Sequence, residues 1–262
     1  MADVDGLLAV MNPPQSSTHA AKTPWDYQQE ASIKFQKNNK DTNGELVNVL
    51  SLDGGGIRGL VLIQILSELE RRLGVDILSS FHWIGGTSTG AILALALSQG
   101  KSIAHCRSIY FRLKDDVFYG TRPYSGDVLE SFLKSEFGEH TTLADVTAKK
   151  VMVTTCLATV CPSKLKLFRN YQLDLPADTN DNMGFCSPEN VLLHIAARCS
   201  SAAPTYFPPY EGKYMDGGLL ANNPCSQLIS DVQLMNTSLK MALWVRQGHD
   251  AIPPRSLATR SP

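Results

Sequence analysis

The chain of 262 residues is long enough to bury a sizeable core, and its length suits one large α/β domain better than two ordinary ones. Its 24 basic and 25 acidic residues give no net field and form no polybasic run, which argues against a nucleic-acid-binding protein. The acidic start does not resemble a signal peptide, and the longest apolar run, Ala91 to Leu97, is too short to span a bilayer. We therefore expect a cytoplasmic protein that contacts membranes only peripherally.

The first 45 residues differ in composition from the segment that follows. Residues 11–45 are rich in Pro, Gln, Ser, Asn and Lys with little periodicity, so residues 1–45 are predicted to be a mobile leader. A buried strand is predicted over residues 46–52, ending at a glycine loop over residues 53–59. A helix should follow, because apolar residues recur at helical spacing and Gly74 stands where a C-terminal cap is expected. Its predicted inward residues are Leu62, Ile65, Leu66, Leu69 and Leu73.

The next motif, Gly86-Thr87-Ser88-Thr89-Gly90, lies between the apolar run 81–84 and the apolar run 91–97. This order predicts a strand, a sharp turn and a helix, with the turn serine in a strained conformation and its hydroxyl exposed. Gly86 and Gly90 would allow the strand and the helix to pack closely. The N-terminus of the helix would favour a negative charge that develops beside Ser88. Ser88 is therefore a candidate nucleophile, although small-residue turns without chemistry share this pattern.

Strands and helices are predicted to alternate through the rest of the chain. Helices are predicted from Ser102 onward and over 127–137, with Val128, Leu129, Phe132 and Leu133 inward in the second. Strands are predicted over 151–157 and 165–168, and a helix from Ser187 to about Arg198. A short extended stretch over 213–216 precedes a helix that runs through Met235. This alternation predicts a mainly parallel sheet covered by helices on both faces.

The glycine loop allows two functional interpretations. Its G-x-G-x-x-G pattern between a strand and a helix is also expected of a dinucleotide-binding turn, which would need an acidic residue about twenty positions on, at a strand end. Asp76 is near that distance, but no strand precedes it, and Asp53 would repel phosphates. The other interpretation is an oxyanion hole, in which bare glycine N–H groups approach a substrate carbonyl and Arg58 adds positive charge. A glycine turn that merely packs is a third alternative.

A nucleophilic serine needs a base, and none of the six histidines occupies a convincing position. A carboxylate could replace histidine if desolvation keeps it basic. The best candidate is Asp216, which ends a short extended stretch before the Gly217-Gly218 turn. The alternative role for Asp216 is to cap that turn.

Three motifs taken together resemble a known family. They are Asp53-Gly54-Gly55-Gly56-Ile57-Arg58-Gly59, Gly86-Thr87-Ser88-Thr89-Gly90 and Asp216-Gly217-Gly218. In this order they resemble the patatin-like phospholipases. The segments 113–118, 121–124 and 200–207 are similar to the animal calcium-independent phospholipase A2 branch of that family. The resemblance covers residues 46–235 or so.

The resemblance implies an α/β fold of the patatin-like three-layer sandwich type. It implies a Ser–Asp dyad in which Ser88 is the nucleophile and Asp216 the base. The implied oxyanion hole consists of Gly54, Gly55, Gly56 and Arg58. The residues implied to support these motifs are Asp53, Gly59, Gly86, Gly90, Gly217 and Gly218. The implied reaction is the hydrolysis of acyl esters in phospholipids or lysophospholipids, without a metal ion or another cofactor.

The resemblance also sets the expected domain limits. We expect a lipid acyl-hydrolase domain over residues 46–238, without the ankyrin repeats that precede it in animal relatives. Residues 239–262 are Pro-, Arg- and Ser-rich and are expected to form an irregular, truncated tail. The alternative function is therefore a weakly active form that binds lipid or modulates a partner, with homo-oligomers or hetero-oligomers with full-length relatives as expected assemblies. Phe118, Tyr119 and residues 208–210 are candidates for a membrane-facing rim, with ordinary packing as the alternative.

Overall fold

A computed structural model describes residues 46–74, 76–173, 185–235 and 240–241. The predicted leader over 1–45 and the end of the predicted tail over 242–262 lie outside the described residues. None of the helices within these ranges combines the length and apolarity that crossing a bilayer requires.

Seven strands and seven α-helices are found in the described ranges. The strands are β1 (Leu46–Val47), β2 (Val49–Leu52), β3 (Trp83–Thr87), β4 (Lys150–Leu157), β5 (Lys164–Arg169), β6 (Tyr214–Asp216) and β7 (Lys240–Met241). The helices are α1 (Gly59–Leu73), α2 (Thr89–Ser98), α3 (Ile103–Arg112), α4 (Gly126–Phe137), α5 (Leu193–Ser200), α6 (Gly218–Ala221) and α7 (Cys225–Leu234). The predicted α/β alternation is confirmed.

The main sheet has the order β2-β3-β4-β5, with β6 also paired to β4. β2, β3 and β4 are mutually parallel, whereas β5 and β6 run antiparallel to β4. β1 and β7 form a separate two-stranded parallel sheet. Three of the five pairings are therefore parallel, as predicted. The pairing of β7 also shows that Lys240 and Met241, predicted to lie in an irregular tail, form a strand.

Helices cover both faces of the main sheet. Successive side chains of a strand point to opposite faces, so neighbouring residues of each strand belong to two different apolar clusters. Leu50, Ile84 and Val153 belong to a large apolar cluster that includes residues of α1 to α5. Val49, Trp83 and Met152 belong to a second cluster with Leu228 and Val232 of α7. The three layers implied by the family resemblance are therefore present. Helix α2 is buried at every residue, which explains why its sequence is apolar on all sides.

Two predicted details of helix α1 and helix α4 are wrong. Ile65 and Leu73 are 37% and 56% exposed, whereas Ile63, which was not predicted to face inward, is buried. Val128 of α4 is 45% exposed, although its neighbours Leu129, Phe132 and Leu133 are buried as predicted. Helical spacing identifies a stripe of apolar residues, but the width of the buried stripe depends on how many elements pack against the helix.

The helix predicted from Ser187 to Arg198 is interrupted. A 3₁₀ turn covers Pro188–Asn190, and α5 begins only at Leu193. Val191 is extended, its carbonyl accepts the N–H of Leu143, and the Leu193 N–H donates to the Thr141 carbonyl. These contacts pair the chain at residues 191–193 with the loop at 141–143, so tertiary hydrogen bonds override the local preference for a continuous helix.

A buried ion pair joins β5 to α7 behind the sheet. Arg169 donates from Nε and from one terminal nitrogen to the Asp231 carboxylate, at 2.5 and 2.9 Å. The Tyr171 hydroxyl donates to the same carboxylate at 2.8 Å. Arg169 and Asp231 are 6% and 3% exposed. Removing one member of such a pair leaves the other charge buried without a partner.

We expect Asp231→Ala to lower the free energy of unfolding by about 3–5 kcal/mol, because Arg169 would remain charged and buried. Urea denaturation at neutral pH measures this quantity. Ser226→Ala, an exposed position of the same helix, is the control and should change stability by less than about 0.5 kcal/mol. A loss below about 1 kcal/mol for Asp231→Ala would show that the ion pair does not hold α7 on the sheet.

Candidate active site

Ser88 occupies a tight elbow between β3 and α2. Its φ of 56° and ψ of −126° lie outside the favoured regions for a residue with a side chain. A Cβ on Gly86 would lie 2.4 Å from the Gly90 carbonyl oxygen, and a Cβ on Gly90 would lie 2.4 Å from that of Leu52. Only glycine fits at these two positions, so the strand and the helix can approach closely enough to hold the turn. The predicted strand, turn and helix around Ser88 are confirmed.

The structure brings Asp216 to Ser88 across 128 positions of sequence. The Ser88 hydroxyl donates a hydrogen bond of 2.6 Å to Oδ2 of Asp216. The other carboxylate oxygen, Oδ1, accepts the N–H of Gly218 at 2.6 Å. Both carboxylate oxygens are thereby fixed, and Oδ2 is directed at the serine.

The register of the sheet explains this proximity. β3 and β6 share one edge of β4, where Thr87 is opposite Thr154 and Asp216 is opposite Thr155. β3 runs parallel to β4 and β6 runs antiparallel to it, so their C-terminal ends meet. Ser88 follows the end of β3, and Asp216 is the end of β6. The two residues are therefore adjacent because two strand ends converge on one partner strand.

Burial controls the acidity of Asp216. The residue is 5% exposed, and desolvation raises the pKa of its carboxyl from 3.8 to about 6, against the opposing effect of the hydrogen bonds from Ser88 and Gly218. At neutral pH the carboxylate is mostly ionised, and it is more basic than an exposed aspartate. Such a group can accept a proton from a serine hydroxyl.

Ser200, at the end of α5, contacts both the Ser88 elbow and the turn after Asp216, and it is 0% exposed. Its Oγ accepts the N–H of Ser88 at 2.8 Å, and its carbonyl accepts the N–H of Gly217 at 3.3 Å. The Asp216 N–H donates nearby to the Ala202 carbonyl, at 3.0 Å. The sequence identified residues 200–207 only as a segment of family resemblance, and no local pattern indicated that Ser200 would contact the elbow.

The glycine loop packs against the turn that follows Asp216. The Gly54 N–H donates to the Asn222 carbonyl at 3.1 Å, and the Asn222 side chain donates to the Gly54 carbonyl at 3.3 Å. Asp53, 2% exposed, accepts a hydrogen bond of 2.7 Å from the Asn223 side chain. Because the Gly54 N–H is already used, Gly54 is a wall of the site rather than a donor to a substrate, which corrects the expectation for this residue.

The remaining loop donors face the same space as Ser88. Gly55 and Gly56 line it, and across the described ranges their N–H groups have no hydrogen-bond acceptor. The N–H of Thr89, at the start of α2, likewise has none there. Arg58 is exposed, lines the same space and donates from Nε to the Gly55 carbonyl at 3.2 Å. This set of donors suits an oxyanion beside Ser88.

Ser88 and Asp216 open into a cavity of about 640 Å³. Its walls are mainly apolar and aromatic, and no described histidine lines it. The wall residues include Ile92, Leu113, Phe118, Leu129, Tyr206 and Phe207. Three cationic residues, Arg58, Lys114 and Arg122, also line it. The cavity therefore combines an apolar volume with a positively charged part.

The structure does not support the dinucleotide interpretation of the glycine loop. Asp76 caps a 3₁₀ turn over Ile77–Ser80, and its Oδ1 accepts the N–H of Leu78 at 2.9 Å. It does not end a strand, as an acidic ribose ligand would. The loop instead lies beside Ser88, where a Cβ on Gly54 would be 3.1 Å from the Cβ of the serine.

The sequence is similar to those of several known proteins. The family model for patatin-like phospholipase matches residues 50–229. The chain is 45% identical over 217 residues to the mouse 85/88 kDa calcium-independent phospholipase A2, covering 80% of this chain and 26% of that protein. It is 39% identical over 199 residues to an intracellular phospholipase A2 of Caenorhabditis elegans, covering 75% of this chain and 18% of that protein. The crystal structure of VipD from Legionella pneumophila aligns with a TM-score of 0.45 at 14% identity, covering 68% of this chain and 47% of that one.

We expect Asp216→Asn to stabilise the protein at pH 7 by up to about 3 kcal/mol, at about 1.4 kcal/mol for each pH unit between pKa values of 3.8 and about 6. The folded state holds the Asp216 proton more tightly than the unfolded chain does. The stabilising effect of that protonation is complete below pH 4 and is lost as the pH rises through about 6.

Urea denaturation of the wild-type and Asp216→Asn proteins at pH 7 and pH 4 measures the change in the free energy of unfolding. The matched control is Asp127→Asn, at an exposed position of α4. The gain from Asp216→Asn should disappear at pH 4, and the control should show none at either pH. Destabilisation by Asp216→Asn at pH 7 would contradict the electrostatic account of the site.

Proposed function

Because the chain belongs to the patatin-like phospholipase family, we propose that it hydrolyses fatty acyl esters of phospholipids or lysophospholipids through an acyl-enzyme on Ser88. The observation that carries this proposal is the 2.6 Å hydrogen bond from the Ser88 hydroxyl to the buried Asp216 carboxylate. The chain spans about a quarter of the length of the mouse relative. The proposed activity therefore depends on the residues of this chain's own site.

In the first half of the reaction, Ser88 Oγ attacks the ester carbonyl carbon while Asp216 Oδ2 accepts the hydroxyl proton. The negative charge that develops on the carbonyl oxygen is stabilised by the N–H groups of Gly55, Gly56 and Thr89, with Arg58 nearby. The C–O bond of the ester then breaks. The leaving alcohol oxygen of the lipid takes the proton from Asp216, and the acyl group remains on Ser88.

In the second half, Asp216 accepts a proton from a water molecule, and the hydroxide attacks the acyl carbon. The bond to Ser88 Oγ breaks, Oγ recovers the proton from Asp216, and the fatty acid leaves. The raised pKa of Asp216, about 6, suits both steps, because the carboxylate is ionised at neutral pH and still basic. Activity should therefore rise with pH through about 6.

The size and lining of the cavity suit a lipid substrate better than a small water-soluble ester. A volume of about 640 Å³ with apolar and aromatic walls suits a substrate that has a long hydrocarbon chain. Ile92 and Leu129 line this space together with the nucleophile, so a chain bound against them would share the cavity with Ser88. The fatty acyl group is the part of a phospholipid with this chemistry.

We also infer that the mouth of the cavity contacts a membrane surface from the cytoplasmic side. Ile57 and Leu219 line the cavity and are 40% and 51% exposed. Leu220, beside Leu219, is 47% exposed, and Tyr119 is 85% exposed. Exposed apolar and aromatic groups around an opening suit the headgroup boundary of a bilayer.

Only part of the membrane rim predicted from the sequence has this exposure. Phe118 packs against Tyr124 and Phe207, with ring centroids 5.6 and 5.7 Å away, so it is a cavity wall rather than an exposed anchor. The segment 208–210 does not line the cavity. Of the predicted rim, Tyr119 is the strongly exposed aromatic side chain.

A fluorophosphonate probe tests the proposed chemistry. We expect the purified protein to be labelled covalently in calcium-free buffer, and Ser88→Ala and Asp216→Asn each to reduce labelling by a factor of about 10³ or more. The double variant should lose little more than either single variant, because the two residues act as a unit. A folded wild-type protein that is not labelled would support the alternative of a lipid-binding or partner-modulating form.

Vesicle co-sedimentation tests the membrane contact. Replacing both Tyr119 and Leu220 with serine should weaken binding to phosphatidylcholine vesicles by about tenfold or more, because about 1.5–3 kcal/mol accompanies full burial of each large apolar side chain. Leu73→Ser is the control. Leu73 is also exposed but lies at the far end of α1, about 20 Å along the helix from the mouth. Equal losses for both proteins would contradict a contact at the mouth.

A further inference from the structure

We propose that Arg122 binds the phosphodiester group of the phospholipid substrate and thereby makes the site prefer phospholipids to neutral acyl esters. This inference rests on the proposed function. Arg122 lines the same cavity as Ser88 but belongs to a different loop from the oxyanion donors. A lipid whose ester lies at Ser88 would therefore have a cation in the same cavity for its headgroup.

The guanidinium of Arg122 is held by aromatic side chains. Its central carbon lies 3.9 Å from the ring centroid of Tyr206 and 6.0 Å from that of Tyr124. The Tyr124 N–H donates to the Tyr206 carbonyl at 2.7 Å, which ties the two loops together beneath the guanidinium. The cation–π contact with Tyr206 holds the guanidinium against that ring. The side chain is thereby oriented before a substrate arrives.

The aromatic residues beneath Arg122 form one packed cluster with the acyl cavity. Phe207 lies 5.7 Å from Tyr124 and also 5.7 Å from Phe118, measured between ring centroids. Both Phe118 and Phe207 line the cavity. The cluster therefore joins the apolar wall, which suits an acyl chain, to the cation, which suits the headgroup phosphate.

The other two cations of the cavity have different partners. Lys114 forms an ion pair with its neighbour Asp115, which reduces its charge toward a substrate. Arg58 donates to the Gly55 carbonyl within the loop that faces the ester. Arg122 forms no ion pair with a carboxylate of the described residues. Its charge is thus available to an anionic ligand.

The chemistry of the two groups matches. A phosphodiester carries one negative charge and two oxygens that can accept two parallel hydrogen bonds from a planar guanidinium. A neutral diacylglycerol offers the same ester and acyl chains but lacks this group. Comparing the two lipids therefore separates the contribution of the phosphocholine headgroup from that of the acyl chains, and the phosphodiester is the only anionic group of that headgroup.

The experiment measures hydrolysis of dioleoyl phosphatidylcholine and dioleoylglycerol, each in the same detergent micelles. Arg122→Gln should lower kcat/KM for phosphatidylcholine by about 10- to 100-fold, mainly through KM, and change that for dioleoylglycerol by less than about twofold. Arg122→Lys keeps the charge without the planar fork and should lie between. Arg107→Gln, which removes the same charge from α3 outside the cavity, should change neither rate.

Fluorophosphonate labelling of each variant separates this inference from the proposed function. Two results would overturn the assignment of the phosphate to Arg122 if Arg122→Gln is labelled normally. One is an equal fall in kcat/KM for both lipids, and the other is no fall in kcat/KM for phosphatidylcholine. Absence of labelling in the wild-type protein would instead count against the proposed function.

A binding measurement covers the case of an inactive enzyme. Isothermal titration of dihexanoyl phosphatidylcholine into the Ser88→Ala protein, with and without Arg122→Gln, needs no turnover. A loss of about tenfold in affinity on adding Arg122→Gln would support the inference, and equal affinities would overturn it.

Discussion

The site depends on the meeting of two strand ends on a single partner strand. β4 pairs with β3 along its first half and with β6 beyond it, on the same edge, so the residues after β3 and at the end of β6 converge. A shift of one residue in the pairing of β6 would turn Asp216 to the other face of the sheet. The close approach of Gly217 to Thr154 opposes such a shift, because a Cβ there would lie 2.2 Å from the Thr154 hydroxyl.

The two residues that suit catalysis, Ser88 and Asp216, have features that destabilise the folded state. Packing by the surrounding elements offsets this destabilisation. Ser88 has a strained backbone, and Asp216 is a buried carboxylate whose two oxygens are held by Ser88 and Gly218. Their support comes from the end of α5 and from α2, which is buried along its whole length. The packing of these supporting elements lets the elbow persist despite its backbone geometry, and burial of Asp216 keeps its carboxylate desolvated and therefore basic.

The three sequence motifs form one connected unit rather than three separate features. Hydrogen bonds join Gly54 to Asn222 and Asp53 to Asn223, so the glycine loop is fastened to the turn after the aspartate. Thr87, beside the nucleophile, donates to the Ala221 carbonyl of the same turn at 2.8 Å. A second, aromatic unit around Tyr206 lies on other loops of the same cavity. Tyr206 lies on the segment that follows α5, and the start of that segment, at Ser200 and Ala202, also contacts Ser88 and Asp216.

The sequence by itself determined the order of the main elements, the elbow at Ser88, the short strand before Asp216 and the family. These features depend on local periodicity and on positions where only glycine fits, and both are visible in neighbouring residues. Tertiary structure alone decided that the Gly54 N–H is occupied, that Ser200 supports the elbow, that residues 191–193 leave the helix, and that the Arg122 guanidinium lies over the Tyr206 ring. Each of these depends on contacts between segments distant in sequence, whose partners are set by strand register and loop packing rather than by local pattern.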